Sequence, residues 1–200
     1  AARLAGIFVL GGLQGALGWF MVASGLAERV DVSPYRLAAH LGLAIVIYGW
    51  TVWIALDLLA SPDASPPAPE ARRLQHLVAG FAVLVFVTLL SGAFVAGNDA
   101  GFAYNSFPLM DGRLVPAGYL DQSPPWLNLF ENVAAVQFNH RLLATATLLA
   151  ALALWAFGRK QLGPGRPRVW LNMLAAMAAI QFALGIGDRD RQLPRDVERQ

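Results

Sequence analysis

Three histidines and no cysteine set the chemistry open to this 200-residue chain. Without a thiolate there is no disulfide, no Fe–S cluster and no sulfur-ligated zinc. A metal or cofactor would have to be held by imidazole, methionine, carboxylate or backbone. His40 stands in YRLAAHLG (35–42) and His140 in QFNHRL (137–142), each just inside one end of a long apolar stretch. Each has an arginine at hand: Arg36 one helical turn before His40, Arg141 directly after His140. An ionisable side chain inside a membrane span is costly unless paired, so it is a candidate functional group. One reading is a hydrogen bond between helices. The other is axial ligation of heme iron by neutral imidazole, with Arg36 and Arg141 meeting the propionates in bidentate fashion. His76, in RRLQHL (72–77), falls at the charged end of its stretch and reads as an interfacial residue rather than a ligand. There is no HExxH, no phosphate-binding glycine loop and no GxSxG nucleophile.

The elements that must carry these histidines are membrane helices. Hydrophobic residues make up 56% of the chain and charged residues 14%. Soluble domains hold roughly 45–50% and about 25%, so an ordinary soluble domain is excluded. A formal charge of +2 without a basic stripe leaves no surface for nucleic acid. Residues 4–27, 37–56, 77–97, 142–158 and 169–187 carry no charge over 24, 20, 21, 17 and 19 positions. A transmembrane helix needs about 20 apolar residues, and lipid forces backbone groups to bond internally, so these five stretches are predicted helices. The fourth is expected to begin earlier, near Val133. The fold class is therefore all-α and polytopic, embedded in the lipid bilayer. With the N-terminus inside, seven Lys and Arg lie in inner segments (3, 72, 73, 159, 160, 166, 168) against four outside (29, 36, 113, 141). That count orients both His40 and His140 towards the outer face.

Two connections differ in character. Residues 61–69 are rich in Pro, Ala and Ser and read as a linker without chemistry. Residues 98–132 form a long outer loop in which Phe102, Tyr104, Phe107, Tyr119 and Trp126 interleave with Gly and Pro. Loops of that length are functional or disordered, and the aromatics favour an ordered lid. The first and fifth spans also resemble each other. QGALG (14–18) aligns with QFALG (181–185), with Leu4 opposite Leu171 in the same register. Chance among Ala/Gly/Leu-rich helices and duplication of a helical unit both account for it. Duplication would predict a histidine-bearing helix after the fifth span. Residues 188–200 instead hold four acids and four arginines and cannot span, which reads as a truncated or frame-shifted end.

Four strings carry a family resemblance: GGLQGALGWFMVASGL (11–26), SPYRLAAHLG (33–42), SGAFVAGNDAGFAYNSFPLMDG (91–112) and LFENVAAVQFNHR (129–141). Over about residues 1–187 the chain resembles the heme A synthase family, in the branch of mitochondrial enzymes and bacterial relatives that lacks an extracellular cysteine pair. The resemblance implies two pseudo-symmetric four-helix bundles, of which the five spans match helices three to seven. Residues 1–60 would form the second half of the N-terminal, substrate-heme bundle and 61–76 a cytoplasmic linker. Residues 77–187, with outer loop 98–132, would be the first three helices of the C-terminal bundle, and 188–200 a charged tail foreign to the family. His40 matches the helix-four ligand of the substrate heme iron, and His140 the helix-six ligand of heme b.

The resemblance further implies an oxidoreductase that converts the ring methyl of heme O to the formyl group of heme A. Heme O and heme A would be its partners, with heme O synthase and cytochrome oxidase assembly factors nearby. The setting would be the bacterial inner membrane, or the mitochondrial inner membrane in a eukaryote. The family's Glu-x-x-His-Arg motif, with one ligand and the glutamate credited with catalysis, has no counterpart in these 200 residues. Neither does the helix-eight partner of His140. The expectation is a fragment that is inactive alone. A non-catalytic heme-binding electron carrier or anchor is the alternative.

Overall fold

The computed structural model describes residues 2–25, 33–60 and 69–187. Five helices follow one another: α1 (Ala2–Gly25), α2 (Pro34–Leu59), α3 (Pro69–Gly97), α4 (Val133–Gln161) and α5 (Arg166–Gly187). All five are long and apolar enough to cross a membrane, and no strand occurs among the described residues. The chain is an all-α polytopic membrane protein. Residues 61–68 of the expected linker and the whole 188–200 tail lie outside the described residues. The linker's other end differs from expectation. Residues 69–76 are already helical, because a proline suits the first turn of a helix and Glu, Ala, Arg, Leu and Gln propagate it.

Each helix packs on its neighbours in sequence, giving a continuous row from α1 to α5 in which α2 joins the first pair to the rest. The start of α1 and the end of α2 are tied by an ion pair between Arg3 and Asp57. Where α2 starts and α3 ends the backbones approach closely. A Cβ added at Gly97 would lie 2.6 Å from Pro34 Cα, a backbone atom that cannot rotate away. Gly97→Ala should therefore cost about 1–3 kcal/mol through overpacking. A lowered unfolding midpoint in detergent would register it, and an unchanged midpoint would refute this account of the α2–α3 contact. Beside this contact an aromatic trio closes the corner, with Tyr35–Phe94 centroids 5.6 Å apart and Phe94–Phe130 centroids 5.1 Å apart. The Tyr35 hydroxyl donates to Glu131 at 2.7 Å, fastening α2 to the end of the outer loop.

Residues 98–132 are an ordered loop built on side chains that satisfy backbone groups. Asn98 Nδ2 donates to Phe130 O at 2.8 Å and so joins the loop's two ends. Asn128 is buried and takes both the N–H and the C=O of Gln122. The pair Asp111-Gly112 turns the chain with φ of 51° and 76°, and Met110 and Arg113 bond across it, as expected of an Asp-Gly hairpin turn. Asn132 caps α4 at the expected start: its Oδ1 accepts from Ala135 N at 3.1 Å, while its Nδ2 donates to Gly118 O and Asn128 Oδ1.

Candidate functional site

The first two turns of α4 grip the loop through one face. Gln137 is buried and donates to Gly101 O and Tyr104 O. One turn on, Arg141 is also buried, and its guanidinium donates to Tyr104 O at 2.7 Å, Ser106 O at 2.8 Å and Leu109 O at 3.4 Å. Arg141 also lines a cavity of about 520 Å³ beneath the loop. The walls come from α2 (Leu37, Leu41), α3 (Gly92, Ala93), α4 (His140, Ala144) and α5 (Phe182, Gly185), with Phe107 from the loop. Thr88 and Thr147 line the same cavity further along α3 and α4 from the loop. Seven residues separate His140 from Thr147, about 10 Å along the helix axis. Volume and lining are those of a small-molecule site: mostly apolar walls with a few convergent polar groups.

His140 is seated against α3. A Cβ at Gly92 would come within 3.2 Å of His140 Cε1, so glycine is what lets the imidazole lie on the α3 backbone. Ser91 Oγ lies 2.7 Å from His140 Nδ1. His40 is seated on α1 in nearly the same way. A Cβ at Gly18 would come within 3.1 Å of its Cε1, and Gln14 Nε2 lies 3.2 Å from its Nε2. The same Gln14 nitrogen donates to His40 O at 3.1 Å, which fixes the amide's orientation and makes it a donor to the imidazole. Each histidine thus has a glycine of the preceding helix beneath its ring and a polar side chain on one nitrogen.

His140 and Arg141 come together in one cavity, and His40 does not line it. Arg36 lies over the Phe20 ring of α1, 4.6 Å from its centroid, one turn outward of His40. His76 is exposed near the start of α3, 16 residues before Gly92, which is about 24 Å of helix. Of the five aromatics expected in a lid, Phe107 is the one on the cavity wall, while Tyr119 packs on Phe138 of α4 and donates to Asn139. Phe107 meets Phe182 edge-on at 6.0 Å, whereas Phe102 and Trp126 are 63% and 57% exposed. That exposure suits an interfacial belt. Gln14, Ser91, Gly18 and Gly92 were not singled out as imidazole partners in the sequence. The signal lay in the repeat: Gln14 and Gly18 hold His40, and their counterparts Gln181 and Gly185 line the His140 cavity.

Residues 1–188 match the family model COX15-CtaA, described as cytochrome oxidase assembly protein. The chain belongs to this family. It is 52% identical over 187 residues to a heme A synthase of Rhodospirillum centenum, covering 93% of the chain and 49% of that protein. It is 44% identical over 184 residues to the heme A synthase of Nitrosospira multiformis (92% and 52%) and 47% over 189 residues to that of Maricaulis maris (92% and 53%). The chain spans about half the length of these curated relatives. No solved structure matches it.

Proposed function

We propose that this chain supplies both heme sites' outer-face ligands in a heme A synthase, which oxidises the ring methyl of heme O to the formyl group of heme A. The observation that carries the reading is the cavity that joins His140 and Arg141 beneath the outer loop, in a chain of this family. Heme b fits the donor set there through a neutral imidazole for iron and apolar walls for the macrocycle, whereas the Arg141 guanidinium, expected to meet a propionate, is instead taken up by the carbonyls of Tyr104, Ser106 and Leu109 and holds the loop over the site. Bound in that cavity, heme b supplies one-electron redox chemistry. The chain's own contribution is to orient the imidazole against Gly92, to cover the rim with Phe107, and to keep water out with the ordered loop.

His40 is the proposed ligand for the substrate heme iron, which would take the place of the Gln14 amide on its Nε2, and Arg36 lies one helical turn from it in sequence. Residues 1–60 then belong to the substrate-heme bundle and 77–187 to the heme b bundle, in the inner membrane of a bacterial cell. Heme O synthase and cytochrome oxidase assembly factors are the proposed neighbours. The 200 residues offer one imidazole to each site, since His76 lies about 24 Å along α3 from Gly92, on which His140 is seated. Alone they should make no heme A.

A chimera tests the function. This chain replaces the matching 187 residues of the Rhodospirillum centenum relative, expressed in a membrane without its own synthase. Pigment extraction should recover heme A from the chimera, and heme O alone from its His140→Ala form at equal protein level. A chimera present in the membrane that yields no heme A would overturn the proposed activity.

A further inference from the structure

The hydrogen bonds around Ser91 decide which nitrogen of His140 carries the proton. Ser91 Oγ lies 2.7 Å from Thr88 O and 2.7 Å from His140 Nδ1. A backbone carbonyl can only accept, so the single hydroxyl hydrogen of Ser91 is committed to Thr88. The contact to His140 is then satisfied only if Nδ1–H donates to a lone pair of Ser91. A neutral imidazole with its proton on Nδ1 has its lone pair on Nε2. On that basis we infer that Ser91 is a positioning residue for His140: its hydroxyl, oriented by the Thr88 carbonyl, holds the imidazole in the Nδ1–H tautomer and leaves Nε2 as the metal-binding atom.

Two further observations support a dedicated seat rather than an incidental contact. Gly92, the next residue of α3, leaves space for the ring where any Cβ would meet Cε1 at 3.2 Å. Consecutive residues of one helix therefore supply the hydrogen-bond acceptor and the clearance. The imidazole also lines the cavity, so the tautomer fixed by α3 is the one presented there. Partners of this kind on a ligand's other nitrogen raise its basicity and fix its ring, and removing them lowers metal affinity roughly 10–100-fold.

The inference rests on His140 as the heme ligand, and the test separates the two. The 200-residue chain is purified in detergent with isotopically labelled histidine, and His40→Asn and His76→Gln forms assign the ring signals by nitrogen NMR. His140 should carry its proton on Nδ1, Ser91→Ala should move population to Nε2–H, and Ser91→Thr should restore Nδ1–H. A native His140 protonated on Nε2, or a Ser91→Ala spectrum unchanged, would overturn the inference. Titration with heme B adds a second readout. Affinity should fall roughly 10–100-fold in Ser91→Ala and recover in Ser91→Thr. Equal affinities would overturn the positioning role. A His140→Ala chain that binds heme B as the native one does would instead remove the ligand reading and leave the tautomer result standing.

Discussion

Arg141→Met is expected to release the outer loop. The native guanidinium donates to the carbonyls of Tyr104, Ser106 and Leu109, three points along one stretch of the loop. Methionine fills much of the volume but donates nothing, so those carbonyls lose their charged partner. Hydrogen bonds to charged groups contribute about 1.5–3 kcal/mol each, and the two short ones alone bring the expected cost to at least roughly 3 kcal/mol. Because Phe107 lies between Ser106 and Leu109, the cavity should lose its cover together with the loop. Proteolysis from the outer face should then cut within residues 102–115 in the variant and spare the native chain. Arg141→Lys should fall on the side of the methionine variant, since one ammonium cannot reproduce the guanidinium fork. Equal protease resistance in all three chains would show that the loop is held by Gln137 and the asparagines without Arg141.

Gly92→Leu is expected to empty the site while leaving the helices standing. The ideal Cβ position already lies 3.2 Å from His140 Cε1, and the remaining leucine atoms must enter the cavity that Gly92 lines. The imidazole cannot keep its place on α3, and the bond to Ser91 goes with it. Heme B affinity should drop by at least roughly the 10–100-fold that follows loss of a ligand's supporting contacts. Circular dichroism should be unchanged. The control is Gly15→Ala on α1, where nothing lies within 4 Å of the added Cβ and heme binding should not move. Native affinity in Gly92→Leu would contradict the seating of His140 on α3.

The spans were legible because lipid imposes one requirement on sequence, a long run without charge, and residues 4–27 through 169–187 meet it openly. The start of α4 at Val133 was legible too, since Asn132 is an N-cap residue directly before an apolar run. The linker's end was not. Pro69 and the charged residues after it look like loop by hydropathy, yet they extend α3 on helix propensity, helped by Arg73 lying over the Phe157 ring of α4 at 5.2 Å. The histidines stood out as ionisable groups in apolar surroundings. Their partners did not: Ser91 and Gly92 are small residues of the kind that pack helices together anywhere in a membrane protein. Arg141 was picked out by its place beside His140. A long side chain can meet acceptors across several ångströms, however, and its bonds to three loop carbonyls follow from the loop's tertiary path rather than from any local pattern. For the same reason composition alone could not separate Phe107, which reaches the cavity, from Phe102 and Trp126, which do not.

The most direct test of a heme site on His140 uses a chain in which His40 is already alanine, so that His140 and His76 are the histidines left. Heme B is titrated into the purified protein, and resonance Raman spectra of the ferrous form are read for an iron–imidazole stretch. One equivalent bound with that stretch is expected, unaffected by His76→Ala and abolished by His140→Ala. An iron–imidazole stretch that survives His140→Ala would contradict the site.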